Sequence, residues 1–110
     1  MKKWSKEMCD CSITYTLSIL GSKWKWLLLY KLFQNGVQRY GEIKRSIPPI
    51  THKMLSLQLK ELEEEHLISR KEYPQIPPKV EYKLTSKGET LIPILELMSQ
   101  WGAENKSVVK

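Results

Sequence analysis

Ile50–Leu67 reads ITHKMLSLQLKELEEEHL, and this stretch decides how the rest of the chain is read. On a helical wheel Thr51, Leu55, Leu59 and Leu62 fall on one face at helical spacing, with Met54 and Gln58 flanking them. The opposite face collects Lys53, Ser56, Leu57, Lys60 and Glu64, with His52 at its edge. Lys53 and Lys60 are seven residues apart, so two turns of helix set their cations on one side. Leu57 between them gains nothing from a core on the other face. Against a base edge it would meet a thymine methyl in the major groove. The acidic residues Glu61, Glu63, Glu64 and Glu65 are confined to the last turns. A basic first half followed by an acidic second half suits a helix that enters a DNA groove by its N-terminal end. An ordinary amphipathic surface helix has much the same pattern, so the neighbouring segments decide between the two.

Working outward, Glu42–Ser46 suits a short helix that Pro48-Pro49 prevents from continuing. Short helix, tight turn and longer helix make a helix-turn-helix. Ser69–Tyr73 and Val80–Leu84 suit two strands joined by PQIPPK, Pro74–Lys79, a stiff loop fit for an exposed tip. A hairpin placed after a helix-turn-helix is a wing. Arg70, Lys71, Lys79 and Lys83 give it positive charge.

Before this unit, Met1–Asp10 is polar and expected to be a loosely ordered arm. Ser12–Leu20 reads as a helix with Ile13, Leu17 and Leu20 on one stripe and Tyr15 and Ile19 off it. Gly21-Ser22 ends it. Lys23–Gln34 reads as a second helix stopped by Asn35-Gly36. Apolar almost all round, it is expected to be the central core element. Trp24 and Trp26 suit either nucleotide stacking or burial, and the leucines among them favour burial. Val37–Tyr40 suits a short strand. At the other end, Thr85 or Ser86 is expected to cap a last helix, Ser86 with Glu89 fitting a capping box, and that helix runs to about Trp101, bent at Pro93. Its apolar arc exceeds what one small core needs. The expected organisation is therefore one domain over residues 1–110, with residues 12–20 and 86–102 as dimerisation helices. The fold class is α+β, mainly helical: a winged helix-turn-helix with a two-stranded wing.

Composition agrees. Hydrophobic residues at 41% and charged residues at 27% exclude wholesale disorder, and a net charge of +6 favours polyanionic partners, nucleic acid foremost. The longest apolar run, Trp26–Tyr30, is too short to cross a bilayer, so no membrane partner is expected. No apolar segment follows the first lysines as a secretory signal requires. A cytoplasmic protein with reduced cysteines is expected.

The residues quoted next resemble those of the HxlR-type transcriptional regulators, a branch related to the MarR-like winged helices. They are Cys11, Gly21-Ser22-Lys23-Trp24, Arg39-Tyr40-Gly41-Glu42-Ile43, Ile50-Thr51-His52-Lys53-Met54-Leu55 and Leu59-Lys60-Glu61-Leu62-Glu63. They continue with Tyr73-Pro74, Pro77-Pro78-Lys79-Val80-Glu81-Tyr82, Leu84-Thr85, Gly88 and Trp101-Gly102. The run PPKVEYKLTSKG is the specific part. Ser22 stands where a second glycine is usual, and Ser12 where proline often follows the cysteine. The resemblance implies a homodimer that binds inverted-repeat operators on double-stranded DNA and regulates nearby genes, as a repressor in the leading reading. It places Thr51, His52, Lys53, Ser56, Leu57 and Lys60 at the major groove and Lys79 at phosphate or the minor groove. Arg39 either contacts the DNA backbone or braces the fold.

Cys11 sits where many members of this family carry a thiol that senses oxidants or electrophiles. At a helix start, unpaired amides and the helix dipole favour a thiolate, while Asp10 opposes it. A Cys9–Cys11 disulfide would close a strained ring, so an intersubunit or mixed disulfide is the expected oxidised product. The alternative is that Cys11 merely packs and Cys9 is incidental. The effector would then be a small molecule, or there would be none and the regulator would act constitutively. A winged helix serving as a protein-interaction adaptor is a further alternative. Cys9, Cys11, His52 and His66 match zinc spacings poorly, and no metal or other cofactor is expected. His66 is expected to end its helix. With no phosphate-binding loop and no nucleophile motif, no enzyme is expected.

Overall fold

The computed structural model describes residues 11–107. In chain order these form α1 (Ser12–Leu20), α2 (Lys25–Asn35), β1 (Gln38–Arg39), α3 (Tyr40–Ser46) and α4 (His52–Glu64). There follow β2 (Ile68–Tyr73), β3 (Lys79–Leu84), α5 (Ser86–Glu89) and α6 (Ile92–Asn105). The sheet is antiparallel in the order β1-β3-β2. Its long pair runs in register from Ile68 opposite Leu84 to Tyr73 opposite Lys79, and β1 adds Gln38 opposite Tyr82 and Arg39 opposite Glu81. The wing is therefore rooted by a third, two-residue strand that also leads into the helix-turn-helix.

The core explains the pattern in α4. Leu55, Leu59 and Leu62 are buried and pack with Leu28, Leu29 and Leu32 of α2, Ile43 of α3 and Ile50 of the turn. Thr51 is not part of that buried stripe. It is the N-cap, and its hydroxyl accepts a hydrogen bond from the Met54 amide at 3.0 Å. Capping removes one of the unpaired amides at the helix start and fixes where α4 begins. The far end closes with the Leu67 amide on the Leu62 carbonyl at 3.0 Å and the His66 amide on the Glu63 carbonyl at 2.9 Å. These two bonds form a Schellman motif with His66, at φ 62°, in the left-handed position that glycine usually takes. His66 thus lies just past the helix.

Several expectations are corrected. α2 is not buried all round: Leu28, Leu29 and Leu32 are, while Trp26 and Phe33 are exposed and Leu27 and Trp24 are half-buried against the core. Its helix also begins at Lys25, two residues later than read. On α1, Ile19 is buried with Leu20, whereas Ile13 and Leu17 are 68% and 55% exposed. The strand over 37–40 contracts to Gln38–Arg39 because Tyr40 already begins α3, with the Arg39 amide donating to Glu42 Oε1 at 2.8 Å. The single bent helix at the C-terminal end is two helices. Of the two expected caps, Thr85 caps the first, its hydroxyl accepting from the Gly88 amide at 3.0 Å. Pro93 stands in the first turn of α6, where its missing donor costs nothing, rather than bending a helix interior.

Gly88, within α5, is tightly packed. It is buried, and a Cβ there would collide with the Leu67 carbonyl oxygen, which already accepts from the Thr85 amide at 3.1 Å. Its other side would meet Leu84 Cδ2 at 3.2 Å. Gly88→Ala is therefore expected to destabilise the fold by about 1–3 kcal/mol, the usual cost of overpacking. Urea unfolding checks this, and an unchanged midpoint would show that α5 yields without cost.

Candidate nucleic-acid interface

Burying Leu55, Leu59 and Leu62 fixes the rotation of α4 and so decides which side chains point outward. Lys53, Leu57 and Lys60 are exposed on the face opposite the leucines, and Ser56 and His52, also exposed, lie towards one side of it. Leu57 is 45% exposed, as a residue reserved for an outside contact should be. Lys53 and Lys60 lie about 10 Å apart along the axis at 1.5 Å per residue. The exposed glutamates come after them, and Glu61 is turned inward to pair with Lys25 of α2 at 3.0 Å. That ion pair ties the second half of α4 to the core helix and leaves its first half free of carboxylates.

Tyr40 connects α3 to this face. Its hydroxyl lies 3.1 Å from His52 Nδ1, 3.1 Å from the His52 carbonyl oxygen and 3.3 Å from Ser56 Oγ. The two rings stack at 11°, centroids 5.8 Å apart. Tyr40, Ser56 and Lys60 also line a hollow of about 360 Å³ with Glu63, Arg70 and Tyr82, between α4 and the sheet. The sequence reading did not single out Tyr40. It reads as the last residue of a short strand, whereas it opens α3, and nothing local says that its hydroxyl reaches residues 12 and 16 positions away.

Lys79 is more constrained than expected. Its ammonium pairs with Glu81 at 3.2 Å and lies 4.7 Å from the centre of the Tyr73 ring. The Tyr73 hydroxyl first, and Lys79 next, hold the Glu81 carboxyl below the usual carboxylate range, with the Arg39 charge contributing. Arg39 is exposed, at the register position facing Glu81. Lys79 therefore reaches a phosphate only by exchanging a carboxylate for it. The tip beyond Lys79 carries Ile76, 99% exposed and followed by a cis bond to Pro77.

Cys11 is exposed at the N-cap of α1. The amide of Thr14 and then that of Ile13, at the open end of the helix, draw its thiol below the ordinary range, with the Thr14 side chain adding a smaller effect. Cys9 and Asp10 lie outside the described residues. Among the described residues no group of histidine, cysteine and carboxylate side chains is arranged to hold a metal, and no helix is long and apolar enough to cross a membrane.

A capped helix with lysines on its outward face, beside a β-wing, is the arrangement of the winged helix-turn-helix DNA-binding transcriptional regulators, which are not enzymes. Within that class the chain belongs to the HxlR-like helix-turn-helix family, whose pattern matches residues 19–110. An uncharacterized HTH-type transcriptional regulator of Halalkalibacterium halodurans is 52% identical over 102 residues, covering 93% of this chain and 90% of the relative. The solved redox regulator HypR in its oxidized form is 46% identical with a TM-score of 0.79, over 89% of this chain and 100% of that one. The reduced form of the transcriptional regulator YodB from B. subtilis is 35% identical with a TM-score of 0.80, over 91% and 98%.

Lys53→Ala and Lys60→Ala are expected to leave stability within about 0.5 kcal/mol, as exposed substitutions usually do. Each should lower the slope of log affinity against log salt by about one, the signature of one lost phosphate contact. DNA titrations across a salt series check both. An unchanged slope in the double variant would remove α4 from the phosphate-contacting surface.

Proposed function

We propose that this regulator is a cytoplasmic homodimer that binds inverted-repeat operators, represses nearby genes and adjusts its hold on DNA through the Cys11 thiol. The observation that carries the DNA-reading part is the face of α4 itself: His52, Lys53, Ser56, Leu57 and Lys60 exposed together on a helix whose rotation the core dictates. In this reading those residues, with Thr51 at the helix start, occupy the major groove. Lys79 and Arg39 flank it from the wing. Two copies related by a two-fold axis would place their half-sites about one helical turn apart.

Dimerisation is supported by the apolar side chains left outside the core. Ile13 and Leu17 on α1, with Ile94, Leu97, Met98 and Trp101 on α6, are exposed, Trp101 by 69%. An apolar surplus of this kind marks a contact surface. Thiol control is supported by the lowered, exposed thiol and by the redox-regulator name carried by one of the similar structures. A physical route from thiol to DNA also exists. One turn after Cys11, the Tyr15 hydroxyl donates to Glu65 Oε1 at 3.1 Å, and Lys87 donates to the Glu65 carbonyl at 2.9 Å. Glu65 is the C-cap of α4, so a displacement of α1 pulls on the end of the recognition helix. A hollow of about 330 Å³ lined by Leu20, Trp26, Tyr30, Leu95, Met98 and Ser99 favours a second reading, in which a small apolar effector replaces the thiol.

Fluorescence anisotropy on the DNA upstream of the protein's own gene, before and after mild diamide oxidation, separates these readings. Thiol control predicts salt-sensitive binding whose Kd moves about tenfold or more on oxidation, equal to about 1.4 kcal/mol. Cys11→Ser should bind as the reduced protein does and lose the response. Unchanged binding after oxidation would discard thiol control and direct the search to the apolar hollow.

A further inference from the structure

The Tyr40 hydroxyl faces three polar groups at once: the His52 carbonyl oxygen, His52 Nδ1 and Ser56 Oγ, at 3.1, 3.1 and 3.3 Å. A phenol has one proton to give and two lone pairs to receive with. A carbonyl oxygen only accepts. The Tyr40 proton must therefore lie on the line to the His52 carbonyl, since otherwise two oxygens would face each other lone pair to lone pair. Nδ1 can then satisfy its contact only by donating, and so can the Ser56 hydroxyl. One proton arrangement makes all three contacts attractive, and it uses the full capacity of the phenol.

That arrangement has a consequence on the outer side. An imidazole whose proton sits on Nδ1 has a bare lone pair at Nε2. His52 is exposed, and among the described residues nothing pairs with Nε2. Ser56, with its proton committed to Tyr40, likewise turns lone pairs outward one helical turn further on. Left alone, a neutral histidine favours the other tautomer, with Nε2 as donor. In the major groove the exocyclic amino groups of adenine and cytosine are donors, whereas guanine O6 and N7 and thymine O4 are acceptors.

We propose that Tyr40 is a positioning and specificity-determining residue: it holds His52 in the Nδ1–H tautomer and Ser56 in an outward-accepting state, so that this patch of α4 selects adenine or cytosine amino groups. The proposal rests on α4 lying in the major groove. It adds which bases the patch accepts, and which residue outside the recognition helix sets that choice.

Two measurements test it. Long-range ¹H–¹⁵N NMR on the free, full-length protein in alkaline buffer reads the tautomer directly and needs no DNA. The expected result is a pyrrole-type Nδ1 and a pyridine-type Nε2 for His52 in the wild type, reverting towards the opposite pattern in Tyr40→Phe. Phenylalanine keeps the ring and its packing, so the variant should still fold, with a modestly lower thermal midpoint from the lost hydroxyl contacts. In parallel, wild type, His52→Ala and Tyr40→Phe are each used to select binders from a random duplex DNA library. The operator position altered by His52→Ala should read adenine or cytosine in the wild type, by of the order of tenfold over the other bases. It should drift to guanine or thymine, or lose its preference, in Tyr40→Phe, with an unchanged salt slope. A wild-type Nε2–H tautomer, or a Tyr40→Phe selection identical to wild type, overturns the role of Tyr40 and leaves DNA reading by α4 standing. If His52→Ala alters no position, His52 reads no base and the proposal fails. Failure of the wild type to enrich any sequence would remove the premise of groove reading, and the inference with it.

Discussion

The burial of three leucines, Leu55, Leu59 and Leu62, fixes everything this surface can do. Successive residues in a helix are about 100° apart, so a one-residue rotation of α4 would bring these side chains into water and carry lysines towards the core. Each leucine exposed would cost about 1.5–3 kcal/mol. A surface lysine rarely gains as much from a single exposed partner, typically about 1 kcal/mol or less. The core therefore sets the helix rotation and the outward face follows from it. Ile50 and Ile43 belong to the same buried cluster, so the turn and α3 are held by the constraint that orients α4.

The ends of α4 are fixed separately, and this gives the helix a defined axial position as well as a rotation. Thr51 caps the start, while Tyr40 reaches across from α3 to the first turn. At the finish the Schellman closure passes into a cluster in which the Thr85 hydroxyl donates to the His66 carbonyl and Lys87 donates to the Glu65 carbonyl. α1 joins that cluster through Tyr15, and the segment after the wing joins it through Thr85 and Gly88. A change at α1 or α5 thus acts first on the C-terminal end of α4, while Tyr40 is the neighbour at its N-terminal end.

Much of this was legible in the chain because periodicity records burial. The leucine stripe, the exposed Leu57, the extent of α1 and the two wing strands follow from spacing alone. What was not legible depends on contacts between distant residues. Thr51 matches the apolar spacing but serves as a cap, a distinction that rests on backbone geometry at residue 51. Ile19 looks off-stripe on α1 because that helix buries only its last turn, at Ile19 and Leu20. Pro93 reads as a kink in a long helix, yet the helix is broken at Thr90 and Leu91 and Pro93 falls in the first turn of α6. Lys79 reads as a free cation, yet Tyr73 across the hairpin and Glu81 two residues along the same strand hold it. Tyr40 is the furthest from local reading, since its importance lies in three polar atoms on another helix.

The central claim is that the outward face of α4 lies in the major groove. It is tested most directly by an iron chelate tethered at Leu57→Cys in a protein whose native cysteines are serine, bound to its selected operator. Residue 57 carries no structural bond, so the substitution leaves the helix in place. Local hydroxyl-radical cleavage should be confined to one short window per half-site, with the two strands offset as cuts across the major groove are. Cleavage offset across the minor groove, or spread evenly along the duplex, would contradict the account.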